Sequence, residues 1–211
     1  MRPSPDYTLY VITERTPGRS HLEVARAALQ GGATVIQLRE KELPPLTLVA
    51  EAREIARLCR ERGVTFIVND SVELAAACGA DGVHLGPEDL PPAQARAVLG
   101  AQALVGGSAG TVAEAQALAG AADYLGVGTI YATATKPDAG HPIGLEGLAA
   151  IRRAVALPLV AIGGLHAGNV EAVIRAGADG VAVVSAVTRA PDMVEAAHRL
   201  RRLIEETRAR T

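Results

Sequence analysis

Polar side chains alternate along one short stretch of otherwise aliphatic residues. Val35, Gln37, Arg39 and Lys41 occupy every second position there, with the aliphatic residues Ile36 and Leu38 between the first three of these positions. Side chains two residues apart on a β-strand point to the same face, so an amide and two cations would share one face. Burying them is costly without an anionic partner. The spacing indicates an anion-binding role, and a salt bridge to Glu40 or to an acid on a neighbouring strand is the alternative.

Two aspartates each follow a short β-branched stretch. Asp70 could cap the helix after it, because Glu73 three residues later completes a capping-box pattern, and Asp89 could cap the helix that begins at Pro91-Pro92. The ends of adjacent parallel strands meet at one rim, so both carboxylates would also lie near the cations. Two hard oxygen ligands beside cations predict a Mg²⁺ and diphosphate site at Asp70 and Asp89.

Other kinds of catalytic site are not favoured. Cys59 and Cys78 fall in helical stretches and the five histidines lack ligand spacing, which argues against zinc. No Ser-His-Asp or Cys-His arrangement is visible. His84 lies in a glycine-flanked strand and is interpreted as a packed, hydrogen-bonded core histidine rather than a general base.

The elements that must position these residues alternate between strand and helix. Strands are predicted at 8–13, 34–39, 65–69, 82–86, 103–108, 124–128, 157–163 and 180–185, and helices at 21–30, 45–62, 72–78, 92–99, 112–119, 145–156, 168–176 and 192–209. A weak repeat (GGAT, GADG, GAAD, GADG) places Gly-Ala just before four strands and marks helix-to-strand corners. Eight such units predict one (β/α)₈ TIM-barrel domain over residues 1–211. A doubly wound open sheet is the alternative, although GxGxxG is absent.

Two further segments have the character of ligand-binding loops. Gly163-Gly164 and Val184-Ser185 end the seventh and eighth strands, where this fold commonly holds a phosphate on backbone amides. The long loop at 130–137 carries Lys136, which is one of only two lysines in the chain. Loops of that length in a compact barrel are usually functional.

Composition narrows the class of protein. The chain has 211 residues, a net charge of −2, two cysteines and 2% aromatic residues. A balanced charge argues against nucleic acid as a partner, and the short apolar runs argue against a membrane span. We therefore expect a cytoplasmic protein with small-molecule substrates, for which a homo-oligomer remains open.

The combined motifs resemble the thiamine-phosphate synthase (thiamine-phosphate pyrophosphorylase) family over essentially the whole chain. They are QLREK (37–41), VND (68–70), ADGVHLGPED (80–89), GSAGT (107–111), ADYLGVGTIYATATK (122–136), AIGG (161–164) and GADGVAVVSAV (177–187). The resemblance implies a (β/α)₈ barrel. The implied reaction joins 4-amino-5-hydroxymethyl-2-methylpyrimidine diphosphate to a thiazole phosphate, giving thiamine phosphate and diphosphate.

The resemblance also assigns residues, position by position. Pyrimidine-diphosphate contacts fall on Gln37, Leu38, Arg39, Glu40, Lys41, Asn69, Ser108 and Lys136. Mg²⁺ ligands fall on Asp70 and Asp89, and thiazole-phosphate contacts on Thr133, Ala134, Thr135, Gly164, Val184 and Ser185. Arg39, Lys41 and Lys136 would assist catalysis by neutralising the charge on the departing diphosphate, and the departure would leave a pyrimidine carbocation for the thiazole nitrogen to capture.

Three other functions are weighed against this one. A sister group similar to thiazole tautomerases relies on a histidine where this chain has Gly110, and it usually lacks the aspartate pair. A phosphosugar isomerase or epimerase would also suit the phosphate site after strands seven and eight, but it would need an acid/base pair and not two cationic loops. A non-enzymatic scaffold would not need Lys41, Asp70, Asp89 and Lys136.

Overall fold

Eight short parallel strands close into a barrel in which each strand pairs with the next along the chain and the last pairs with the first. The computed structural model describes residues 5–133 and 140–210. The strands are β1 (Leu9–Thr13), β2 (Val35–Leu38), β3 (Thr65–Asn69), β4 (Gly82–Leu85), β5 (Leu104–Ala109), β6 (Tyr124–Val127), β7 (Leu159–Ile162) and β8 (Gly180–Val183). The predicted (β/α)₈ barrel is confirmed, and the open-sheet alternative is wrong.

Helices connect the strands on the outside. They are α1 (His21–Gln30), α2 (Val49–Glu61), α3 (Val72–Cys78), α4 (Pro92–Leu99), α5 (Val112–Leu118), α6 (Gly144–Ala154), α7 (Val170–Arg175), α8 (Ser185–Thr188) and α9 (Met193–Arg208). In the part of the chain that the structure describes, no helix is both long and apolar enough to cross a membrane.

Most boundaries differ from prediction by one or two residues, and two of the differences have a local reason. The segment predicted as one helix at 45–62 begins as a 3-10 turn (Pro45–Leu48), in which the Thr47 amide and hydroxyl both donate to the Pro44 carbonyl. The strand predicted at 180–185 ends at Val183, because the chain turns at Val184 and Ser185 begins the unpredicted helix α8.

The apolar residues form two separate clusters. The larger cluster lies between the strands and the helices and includes Val11, Ile36 and Leu38. The smaller one fills the inside of the barrel and takes residues of the opposite parity, such as Tyr10 and Val35. Alternation along each strand therefore assigns every second side chain to the barrel interior.

The Gly-Ala repeat has a structural explanation at the N-terminal ends of the strands. The residue just before each even-numbered strand donates its N–H to a carbonyl at or near the start of the preceding strand, at 2.8 Å in all four cases. Its side chain accepts the N–H of that same residue; the pairs are Thr34 with Leu9, Asp81 with Phe66, Asp123 with Val105 and Asp179 with Leu159. The corners were predicted correctly. The left-handed glycine that such a corner favours is present at three of them, since Gly32, Gly79 and Gly177 have φ of 88°, 69° and 105°, whereas Gly120 does not adopt it.

Candidate active site

A cavity of about 1150 Å³ opens at the C-terminal ends of the strands. Residues from loops that are far apart in sequence converge there. Those that were predicted from the sequence and line it are Gln37, Arg39, Lys41, Asn69, Asp70, Asp89, Ser108, Thr133, Gly164, Val184 and Ser185. Ala134, Thr135 and Lys136 lie outside the described residues.

The polar side chains of β2 and of the segment just after it line the cavity as their spacing predicted. Gln37 is buried at the inner wall, where its Nε2 donates to the Tyr10 hydroxyl at 2.8 Å. Arg39 is half-buried, and within residues 5–133 and 140–210 it has no acid at ion-pair distance. Lys41 is exposed, and its Nζ lies 2.5 Å from Asp70 Oδ2. The partner of Lys41 is thus an acid from the neighbouring strand and not Glu40.

The other two residues of this segment face away from the cavity. The Leu38 side chain packs in the outer core, and Glu40 accepts from His21 Nε2 at 3.2 Å. Burial opposes ionisation of Glu40, but hydrogen bonds from the Glu42 amide, from His21 and from the Lys41 amide lower its pKa below the ordinary value. Glu40 therefore shapes the turn that presents Lys41. Leu38 and Glu40 therefore could contact a ligand in the cavity through their backbone groups and not through their side chains.

Neither aspartate caps a helix, which corrects that alternative. Ser71 is the N-cap of α3 and its Oγ accepts from the Leu74 amide at 3.1 Å. Asp70 instead takes a left-handed conformation, with φ 61°, at the end of β3. Asp89 Oδ2 accepts from the Gly86 amide at 2.7 Å, so its carboxylate folds back toward the end of β4.

The two carboxylates meet at the rim of the cavity. Burial raises the pKa of Asp89 above its ordinary value, and the adjacent carboxyl of Asp70 adds to this shift. Two like charges held this close fit a site for a hard cation. In the described part of the chain no third His, Cys, Asp or Glu joins them, so most ligands of such a cation would come from a substrate or water.

The opposite arc of the mouth carries two consecutive glycines in a left-handed conformation. Gly163 and Gly164 have φ of 102° and 65°, a conformation that glycine adopts without strain. A side chain at Gly164 would also lie 2.7 Å from the Ala132 carbonyl oxygen. The Tyr131 amide donates to the Gly163 carbonyl at 3.1 Å, which fixes the loop after β6 against the loop after β7. Polar backbone groups and hydroxyls thus face the charged arc from β2, β3 and β4.

Sequence reasoning missed two buried tyrosines at the floor of the cavity. Tyr10 and Tyr124 line it, and their hydroxyls lie 2.9 Å apart. The parity rule that found Gln37 would have found them, since both occupy inward positions of their strands. His84 is hydrogen-bonded through both ring nitrogens, as its interpretation as a packed core residue expected, but it also lines the cavity.

Comparison with known proteins agrees with this geometry. The family model described as thiamine monophosphate synthase matches residues 9–187. A thiamine-phosphate synthase of Moorella thermoacetica is 56% identical over 98% of this chain and 99% of its own length. One from Chloroflexus aurantiacus is 53% identical over 96% of this chain and 94% of its own.

A solved structure shows that the similarity includes the three-dimensional fold. The thiamine phosphate pyrophosphorylase from Pyrococcus furiosus superposes with a TM-score of 0.90 at 40% identity, over 98% of this chain and 99% of that one. This chain belongs to the thiamine-phosphate synthase family.

Proposed function

We propose that this chain is a transferase that condenses 4-amino-5-hydroxymethyl-2-methylpyrimidine diphosphate with a thiazole phosphate, forming thiamine phosphate and releasing diphosphate. The observation that carries the proposal is the division of one cavity into two arcs. The loops after β2, β3 and β4 bring Arg39, Lys41, Asp70 and Asp89 to one side. The loops after β6, β7 and β8 bring Thr133, Gly164 and Ser185 to the other.

Asp70 and Asp89 fit a Mg²⁺ ion, because their carboxylates are adjacent and repel each other when no cation lies between them. When bound, the ion would offset negative charge on the diphosphate oxygens. Lys41 already touches Asp70, so the cationic side chain and the carboxylates form one continuous polar surface for that group.

The chain's own cations support departure of the diphosphate. The C–O bond between the pyrimidine methylene and the diphosphate breaks with both electrons leaving on oxygen, so negative charge grows there. Arg39 and Lys41, together with Lys136 by resemblance, would stabilise that charge. One preorganised donor to a developing oxyanion is worth about 2.7–4 kcal/mol, or about 10²–10³ in rate.

Capture of the pyrimidine cation needs orientation more than activation. The thiazole nitrogen carries a free lone pair and forms the new C–N bond without a general base. Thr133, Gly164, Val184 and Ser185 line the arc that would hold the thiazole phosphate. Binding a remote phosphate supplies the free energy for placing the nitrogen against the cation.

The direct test is to incubate the purified protein with both substrates and Mg²⁺ and to measure thiamine phosphate and diphosphate. We expect equimolar formation of the two products, and a loss of both on addition of a chelator. If the protein instead only isomerised the thiazole phosphate, the tautomerase alternative would be correct. Tautomerases rely on a histidine at the position where this chain has Gly110, so we do not expect that result.

The order of bond breaking has a separate test. If the carbocation forms first, replacing the pyrimidine 2-methyl group by trifluoromethyl destabilises it more than the ground state and slows the chemical step steeply. Direct displacement by the thiazole nitrogen is much less sensitive. A single-turnover rate within about threefold of the natural substrate would contradict the dissociative order, because product release cannot mask chemistry in that experiment.

A further inference from the structure

Five polar side chains form a continuous hydrogen-bonded network across the inside of the barrel. Gln37 Nε2 lies 2.8 Å from the Tyr10 hydroxyl, which lies 2.9 Å from that of Tyr124. His84 Nδ1 lies 3.2 Å from the Tyr124 hydroxyl, and His84 Nε2 lies 3.0 Å from Ser108 Oγ. We call these five residues the interior network. Both of its ends, Gln37 and Ser108, are residues assigned above to the pyrimidine diphosphate.

Among the residues that the structure describes, the hydroxyl hydrogen of Tyr10 has only one available acceptor. The Tyr10 hydroxyl accepts from Gln37, and within the described residues its remaining partner is Tyr124. Burial raises the pKa of both Tyr10 and Tyr124, so each phenol keeps its hydrogen at neutral pH. A buried hydroxyl without an acceptor is strongly disfavoured. Tyr10 therefore donates to Tyr124.

The donor and acceptor roles of Tyr124, His84 and Ser108 follow from this hydrogen bond. Tyr124 already accepts from Tyr10, so its own hydrogen goes to His84 Nδ1. A neutral imidazole that accepts at Nδ1 carries its hydrogen at Nε2, which faces Ser108 Oγ. Ser108 accepts from His84, and its own hydrogen is directed away from the imidazole toward the cavity that it lines.

Two glycines make room for the interior network. A Cβ at Gly106 on β5 would lie 2.3 Å from Tyr124 Cζ and 2.5 Å from His84 Nδ1. A Cβ at Gly126 on β6 would lie 2.9 Å from His84 Cε1. Any larger residue at either position would displace the imidazole or the phenol. The two strands that carry Ser108 and Tyr124 therefore each keep a glycine where these two rings pack.

We propose that His84 is a positioning residue, held in the Nε2–H tautomer by Tyr10 and Tyr124, which makes Ser108 a hydrogen-bond donor to the substrate. The proposal rests on the proposed function in that the acceptor is an oxygen of the pyrimidine diphosphate. A hydroxyl locked as a donor favours an anionic oxygen at that point and disfavours a ligand N–H or O–H donor. The inward tyrosines thus act on the reaction without touching the substrate through their hydroxyls.

The tautomer can be read directly in the protein without substrate. We expect a two-bond ¹H–¹⁵N spectrum of histidine-labelled protein at neutral pH to show His84 as a single Nε2–H tautomer. Tyr10→Phe removes the donor to Tyr124, which can then accept from His84, so a mixture of tautomers is expected. His21 is the internal control, because this buried histidine contacts Thr13 and Glu40 instead.

A double-mutant cycle tests the effect on catalysis. If Tyr10 acts through Ser108 and not through its other partner Gln37, Tyr10→Phe lowers kcat/KM for the pyrimidine diphosphate severalfold, and it has no further effect when Ser108→Ala is already present. Ser108→Ala alone removes a hydrogen bond to a charged group and should lower kcat/KM by about ten- to a hundredfold. A merely structural role for Tyr10 predicts effects that multiply.

Several results would overturn the proposal. They are a His84 imidazolium or Nδ1–H tautomer in the unmodified protein, a tautomer unchanged by Tyr10→Phe, or multiplicative effects in the cycle. The spectrum of the unmodified protein decides the tautomer even if Tyr10→Phe does not fold. Absence of thiamine phosphate formation with the expected tautomer present would refute the proposed diphosphate acceptor, and with it the proposed function, and not the polarity of the interior network.

Discussion

Asp70 combines an unusual backbone conformation with a carboxylate at the mouth of the barrel. Its φ of 61° is rare for residues other than glycine, although Asp and Asn tolerate it best. Its side chain contacts Lys41 and the neighbouring Asp89. Backbone strain of this kind at the end of a strand is typical of functional positions, where surrounding contacts hold the residue in place.

Substitutions at the adjacent residues Asp70 and Ser71 distinguish an effect on catalysis from an effect on stability. Asp70→Asn keeps a side chain that accepts the left-handed conformation but removes the charge, so we expect a native fold and Mg²⁺-dependent turnover reduced by at least about a hundredfold. Ser71→Ala is the matched control, because it removes the cap of α3 at a cost of about 1 kcal/mol in unfolding free energy. Steady-state kinetics and denaturant unfolding of both variants decide this. Full activity in Asp70→Asn would remove it from the site.

The two arcs of the cavity should respond differently to substitution. Lys41→Met removes a charge next to the departing diphosphate and should mainly lower kcat. Ser185→Ala removes a hydroxyl at the opposite arc and should mainly raise KM for the thiazole phosphate, by about tenfold or more if it bonds the phosphate. Initial rates with each substrate varied in turn measure both effects. The reverse pattern would show that the arcs are assigned to the wrong substrates.

At the scale of the element, the four corners before the even-numbered strands stabilise the barrel at the end opposite the cavity. Asp179 Oδ2 accepts from the Leu159 amide and from Arg152 Nη1, both at 2.8 Å. Asp179→Ala leaves the amide of buried Leu159 without an acceptor and should lower the unfolding free energy by about 1–3 kcal/mol. Asp179→Asn keeps an oxygen acceptor and should lose less. Both variants should keep the KM for each substrate, and a changed KM would show that the two ends of the barrel are coupled.

Alternation and spacing of residue types predicted the strands and helices well. They did not predict features that depend on one particular side-chain contact. The eight strands and the inward side of β2 follow from side-chain parity, which the sequence shows directly. The cap of α3 could not be assigned that way, because Ser71 and Asp70 are both good capping residues and only the left-handed turn at Asp70 distinguishes them. The partner of Lys41 and the contact between Asp70 and Asp89 depend on how neighbouring strands are staggered, which local sequence does not contain.

For the whole molecule, the fold keeps stability and chemistry at opposite ends of one barrel. Apolar residues such as Val35, Ile67 and Leu104 pack inside the barrel beside the interior network, and the polar cavity lies at the C-terminal ends of the strands. Ligands that bind the cavity therefore bind only the closed barrel, since its lining comes from loops that unfolding separates. Ligand binding should then appear as an increase in the stability of the entire chain.

Thermal unfolding measures that linkage. A ligand at a hundred times its Kd stabilises the native state by about 2.7 kcal/mol, which for a chain of this length raises Tm by about 5–11 °C. We expect diphosphate to produce such a rise in the presence of Mg²⁺ and a much smaller one with a chelator, because two carboxylates at the rim repel an anion unless a cation lies between them. Asp89→Asn should reduce the dependence on Mg²⁺. An equal rise with and without Mg²⁺, or stabilisation by sugar phosphates alone, would contradict a cation-dependent diphosphate site and favour the phosphosugar isomerase alternative.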